Sequence, residues 1–167
     1  MRKTLTIFGR NTMRQSILHK PNLLFIASIL AGSTCIATTA NSATPDPCTL
    51  ITVAEMEQIV GPLDGAPSAT DPASGEITCT YTPKAGPSFI DVSLHEGDLA
   101  GLRRSADNKD AVSLPEFGKD AFVTPNAQEY TDLYAKKGKI ILQVSVPVGP
   151  NAVATVKAIA AKAFGRL

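Results

Sequence analysis

Tryptophan is absent from this 167-residue chain and aromatic residues make up only 5 % of it, so any core must be mostly aliphatic. Histidine is limited to His19 and His95. No C-x-x-C pair and no nucleophile-elbow pattern occurs, which removes the usual signatures of a thiol redox catalyst and of an α/β-type hydrolase. Nothing resembles the basic stripe of a nucleic-acid-binding surface, so no nucleic acid is expected as a partner. The longest apolar run is about a dozen residues, short of the roughly 20 that a spanning helix needs.

That apolar run, from Asn22 through Ala31, follows the basic residues Arg2, Lys3, Arg10, Arg14 and Lys20 and precedes the small residues Ala37, Ala40, Ser42 and Ala43. Basic, apolar and small segments in that order read as a cleaved signal peptide over 1–43, leaving a single domain over 44–167. The expected location is periplasmic or secreted. All 15 acidic residues lie after the leader, with 11 of the 16 Lys and Arg, so the remaining domain has a formal charge of −4.

Three cysteines are present, and removal of the leader takes Cys35 and leaves the pair Cys48 and Cys79. An even pair in an exported chain predicts a disulfide. Two free buried thiols would instead suit a cytosolic protein. Cys35 follows Gly32-Ser33-Thr34, a poor match to a lipid-attachment signal, and is read as a small hydrophobe of the leader. Membrane contact is therefore expected only if Cys35 carries lipid.

Local patterns place the elements. Thr52 and Glu55 form a capping box, with Ile51 and Met56 at staple spacing, opening a helix whose stripe is Val53, Met56, Ile59 and Val60 and which Gly61-Pro62 stops. Positions 61–75 read as a loop. Ile77, Cys79 and Tyr81 alternate with threonines as a strand, and a turn over 83–87 leads to a second strand bearing Ile90, Val92 and Leu94. Asp98 caps a short helix with Leu99 and Leu102, 105–111 reads as polar loop, and a brief strand is expected near 121–124. A second hairpin joins Tyr130–Lys136 to a strand carrying Ile140, Leu142, Val144, Val146 and Val148, and Asn151 is expected to cap a terminal helix. The order α-β-β-α-β-β-β-α predicts an α+β domain, an antiparallel sheet of about five strands with helices packed on one face.

The segments Asp46-Pro47-Cys48-Thr49-Leu50-Ile51-Thr52, Cys79-Thr80-Tyr81 and Leu114-Pro115-Glu116-Phe117-Gly118-Lys119-Asp120-Ala121 resemble those of a family of small exported bacterial proteins and lipoproteins of unknown function. The resemblance spans nearly all of 44–167. It implies an envelope location and a disulfide, and no chemistry.

Candidate site residues fall into three groups. With His19 in the leader, a Ser-His-Asp site would have to use His95, which sits at a strand end without a nucleophile motif. The run His95-Glu96-Gly97-Asp98 holds metal-ligand types, against the reading of a solvated turn in which Asp98 is a helix cap. Asp107-Asn108-Lys109-Asp110 hints at calcium but lacks the glycine and distal glutamate of a calcium loop. Tyr130, Asp132 and Tyr134 share the strand face opposite Leu133 and Ala135, and Lys136, Lys137 and Lys139 concentrate positive charge at a hairpin tip. These six residues are the expected contact surface of a non-enzymatic envelope module that binds a protein or envelope component, in one version as an inhibitor, without cofactor or metal. The competing expectation is a small hydrolase using an unrecognised set of carboxylates with His95.

Overall fold

A computed structural model of the chain describes residues 44–70, 76–105, 110–125 and 129–167, all within the unit Asn41–Leu167. The segment 1–43, expected to be a leader, with its Cys35, and most of the calcium-like run, Asp107 to Lys109, lie outside the described residues.

The chain enters through a 3-10 turn at Pro47–Thr49, where Asp46 accepts a hydrogen bond from the Cys48 amide. Helix α1, Val53–Val60, then starts at Thr52 with both halves of the capping box formed: the Thr52 hydroxyl accepts from the Glu55 amide, and the Glu55 carboxylate accepts from the Thr52 amide. Ile51 and Met56 are both buried beside it, as staple spacing requires. The stripe is narrower than expected, because Val53 is exposed and only Met56 is fully buried. Gly61, at φ 84°, ends the helix in a conformation that disfavours side chains with a Cβ.

The five anticipated strands form, and two more join them: among the described residues the sheet has seven strands, not about five. They are β1 Ser68–Ala69, β2 Ile77–Tyr81, β3 Ile90–Glu96, β4 Val112–Ser113, β5 Phe122–Thr124, β6 Tyr130–Lys137 and β7 Ile140–Pro147. Helix α2, Leu99–Arg104, follows β3, and helix α3, Ala152–Phe164, follows β7. Spatial order is β1-β2-β3-β7-β6-β5-β4, with every pairing antiparallel. The two unforeseen strands are the edges, each two residues long and exposed. Such segments are too short to show alternation, and short edges offer little template for a further strand.

Register divides the sheet into two faces. On the first, Cys79, Val92, Val144, Leu133 and Val123 stand in one row across five strands. With Met56 of α1 and Val156, Ile159, Ala160 and Ala163 of α3, they belong to the main core. Alanines on α3 let its backbone come close to the strands. Asn151 precedes α3 but makes no side-chain capping bond, so the expected cap is absent.

Helix α2 corrects the expectation that helices lie on one side only. Its Leu99 and Leu102 pack with Phe122, Tyr134 and Ile141 in a separate small cluster, and register puts Tyr134 and Ile141 opposite to the main core. The Cys48–Cys79 disulfide is formed, with Cα atoms 5.1 Å apart, and ties the entry segment to β2. Tyr81 adds a buried bond from its hydroxyl to the Ile51 carbonyl at 2.9 Å. Arg166 donates to the Leu50 carbonyl and grips both oxygens of Glu55, each at 2.7 Å. Among the described residues no helix is long and apolar enough to cross a membrane.

Candidate partner-binding face

The second face of the sheet is covered by α2 at one end and is only half-buried along its middle. One row there runs Thr80, Asp91, Ser145, Asp132 and Thr124, and the next runs Thr78, Ser93, Gln143, Tyr134 and Phe122. Polar residues fill these rows because each strand alternates: β3 turns Ile90, Val92 and Leu94 inward and therefore Asp91, Ser93 and His95 outward.

Hydrogen bonds tie the rows together. Thr78 and Ser93 share a hydroxyl–hydroxyl bond of 2.7 Å, and the Thr80 hydroxyl donates to Asp91 Oδ1 at 2.6 Å. Asp132 Oδ1 accepts from the Ser145 hydroxyl and from the Gln143 amide, while the Asp132 amide donates to the Thr124 hydroxyl at 3.1 Å. Among the described residues every donor to these two carboxylates is neutral. Among the described residues neither Asp91 nor Asp132 has an ion pair.

The anticipated tyrosine face splits in two. Tyr134 is only 8 % exposed, stacked on Phe122 with ring centroids 4.9 Å apart beneath α2. Burial, with the nearby charges of Asp132 and Glu76, pushes its phenol well above the usual value. It is a packing residue. Tyr130 is 37 % exposed, pairs with Pro147 across β6 and β7, and meets Phe89 at a centroid distance of 5.5 Å. Asp132 lies between them in sequence and at the middle of the polar row.

The hairpin lysines also part company. Alternation sends Lys136 toward α2, where its Nζ donates to the Gly97 carbonyl at 2.6 Å. Lys137 points the other way, to the Phe164 carbonyl at 3.5 Å and over the Phe164 ring at 5.8 Å, at the end of α3 where a cation is favoured. Lys139 is exposed in the turn after Gly138, whose φ is 62°. Among the described residues, Lys139 alone of the three has no such internal contact.

Asp98 acts as the cap of α2, accepting from the Ala100 amide at 3.1 Å, and lies 3.7 Å from Arg104. His95 and Asp98 line one shallow hollow with Gly97, Gly101, Leu102 and Ile141, and Glu96 is not part of it. Among the described residues no group of three His, Cys, Asp or Glu side chains is placed to hold a metal ion. A larger groove of about 540 Å³ runs beside Pro87, Pro147, Val148 and Pro150 to the start of α3, and its lining contains no acid and no histidine.

Residues the sequence reading did not single out complete the face: Phe89, Asp91, Gln143 and Ser145. A polar interruption of the apolar run in β7 marks Gln143 and Ser145, and strict alternation marks Asp91. That β3 lies against β7, placing Asp91 across Ser145 from Asp132, has no local signal. No family model matches the chain, and neither a curated protein nor a solved structure was found to be similar to it.

Proposed function

We propose that the chain is an exported, disulfide-bonded, non-enzymatic binding module of the bacterial envelope, related to small exported proteins and lipoproteins, that engages a protein or envelope component through the open half of its second sheet face. The observation that carries this reading is Tyr130, an exposed ring paired with Phe89 beside a row of polar side chains whose carboxylates, among the described residues, accept hydrogen bonds only from neutral donors. Exposed aromatics on a rigid frame, bordered by polar groups, are what binding surfaces concentrate. Lys139 at the hairpin tip is a peripheral contact. Tyr134, Lys136 and Lys137 serve the fold and leave the contact surface.

The hydrolase reading requires carboxylates converging on His95. Register instead puts His95 beside Ile141 and Lys136, four residues along β3 from the Asp91 row. The hollow that holds His95 has Asp98 as its single carboxylate, already engaged as a cap.

The test is site-specific photocrosslinking in envelope preparations, with a photoreactive amino acid placed at Tyr130 and, as control, at exposed Lys84. A discrete adduct from Tyr130 alone is expected. Equal labelling from both positions, or none from Tyr130, would refute the assignment of this face.

A further inference from the structure

We propose that the open half of the second face seats an extended, positively charged peptide segment of a partner protein. A Lys or Arg side chain lies between Asp91 and Asp132 over Ser145, and the next apolar residue on the same side rests against Phe89 and Tyr130. The inference rests on the reading above and names its ligand.

Charge complementarity makes the argument. Asp91 and Asp132 both face Ser145 across neighbouring strands, so their Cα atoms stand about 10 Å apart at the usual strand spacing. One cation fits between them. Each carboxylate uses Oδ1 for its neutral donors, and among the described residues Oδ2 has no protein partner in either. Among the described residues, the cations next to this face are engaged: Lys136 is bound to the Gly97 carbonyl, and Arg103 is bound to Ser113 and lies 5.7 Å from the Phe122 ring centre. A surplus of four negative charges over 44–167 favours encounter with a basic partner.

Spacing supplies the second half. Ser145 and Pro147 lie on the same side of β7, about 6.7 Å apart as residues i and i+2 of a strand. An extended ligand has the same repeat, so a cation over Ser145 puts its next same-side residue over Pro147, where Tyr130 is the cross-strand partner and Phe89 leans on it. Pro147 also borders the 540 Å³ groove, which takes the segment onward past Val148 and Pro150. The Tyr130 ring adds a cation-attracting surface of its own.

The test titrates the oxidised, 15N-labelled protein with the capped peptide acetyl-Gly-Arg-Thr-Val-Gly-amide. A peptide with Glu in place of Arg and a chitin trisaccharide serve as comparison probes. The arginine peptide is expected to shift amides in 89–93, 130–132 and 143–146, and to weaken as salt rises from about 0.05 to about 0.5 M. Asp91→Asn with Asp132→Asn is expected to weaken binding roughly tenfold, and Asp91→Asn alone, which touches one threonine bond, by a few-fold. Unchanged affinity in both variants, shifts outside these segments, or no shift at millimolar peptide overturns the proposal. If the glutamate peptide or the trisaccharide moves the same amides as strongly as the arginine peptide, the charged ligand is wrong and the face stands. A Tyr130 crosslink in the earlier test with no response to arginine peptide separates the two failures in the same way.

Discussion

Loss of the Cys48–Cys79 bridge is the perturbation whose size follows most directly from the fold. The two residues are 31 apart in sequence, and in the chain-entropy model closing a loop of that length restricts the unfolded chain by about 3.7 kcal/mol at 25 °C. Replacing both with alanine also leaves a small void at Cys79, which is fully buried, adding about 1 kcal/mol. The folded state itself is expected to persist, because Tyr81 still binds the Ile51 carbonyl and Arg166 still binds the Leu50 carbonyl. The double variant Cys48→Ala with Cys79→Ala should therefore lose about 4–5 kcal/mol, a third or more of the stability of a typical domain. In a domain of this length that is a fall in Tm of roughly 10–20 °C. Guanidinium melts followed by circular dichroism supply the energy, and the m-value should rise because an uncrosslinked unfolded chain exposes more surface. A loss below about 1 kcal/mol, or an unchanged m-value, refutes the reasoning. So does a collapse of amide dispersion in native buffer, since the bridge would then be shaping the native state.

Two further outcomes concern groups the entry segment holds. Tyr81→Phe removes the only side-chain donor to the buried Ile51 carbonyl among the described residues and should cost about 1–2 kcal/mol in urea melts with no change in the sheet's amide pattern. In the native chain, burial, with the charges of Asp46 and Glu55, raises the Tyr81 phenol from 10.0 to about 12. The folded pKa exceeds the unfolded one, so this contribution is complete below pH 10 and vanishes as pH climbs through 12; melts across that range with Tyr81→Phe as control measure it. Glu55 moves the opposite way: the Arg166 guanidinium first, then the Thr52 amide and hydroxyl, hold its carboxyl at about 2 instead of 4.5. Its stabilisation is present above pH 4.5 and disappears as pH drops through 2, and Arg166→Ala should bring the Glu55 titration back toward 4.5 in carbon-detected NMR. A Glu55 titration unmoved by that substitution would show that the ion pair is not the cause.

Much of the fold was written in short-range pattern. The capping box at Thr52 and Glu55, the alternation in 77–81, 90–96 and 140–147, and the parity of Cys48 and Cys79 each predict a feature that is present. Failures occurred where a local rule met a non-local neighbour. Asn151 has the residue type of a cap yet makes no capping bond, and Val148 continues the apolar alternation of β7 but lies beyond its end, 47 % exposed. Ser68–Ala69 and Val112–Ser113 are strands only because β2 and β5 offer them free edges. The candidate face shows the same division. Alternation marks Tyr130, Asp132 and Tyr134 as sharing a side, but only the seat of α2 decides that Tyr134 is covered and Tyr130 is not.

By itself the amino-acid order determined the longer helices and strands, which side of each of those strands is apolar, and that Cys48 and Cys79 are the pair to expect bridged, because these depend on short-range pattern and residue count. Tertiary structure alone decided that β3 lies against β7, that α2 crosses to the far side of the sheet, and that Asp91 and Asp132 flank Ser145. Strand neighbours are chosen by how whole faces pack and by how loops close. That choice is a property of the assembled core, and no window of sequence contains it.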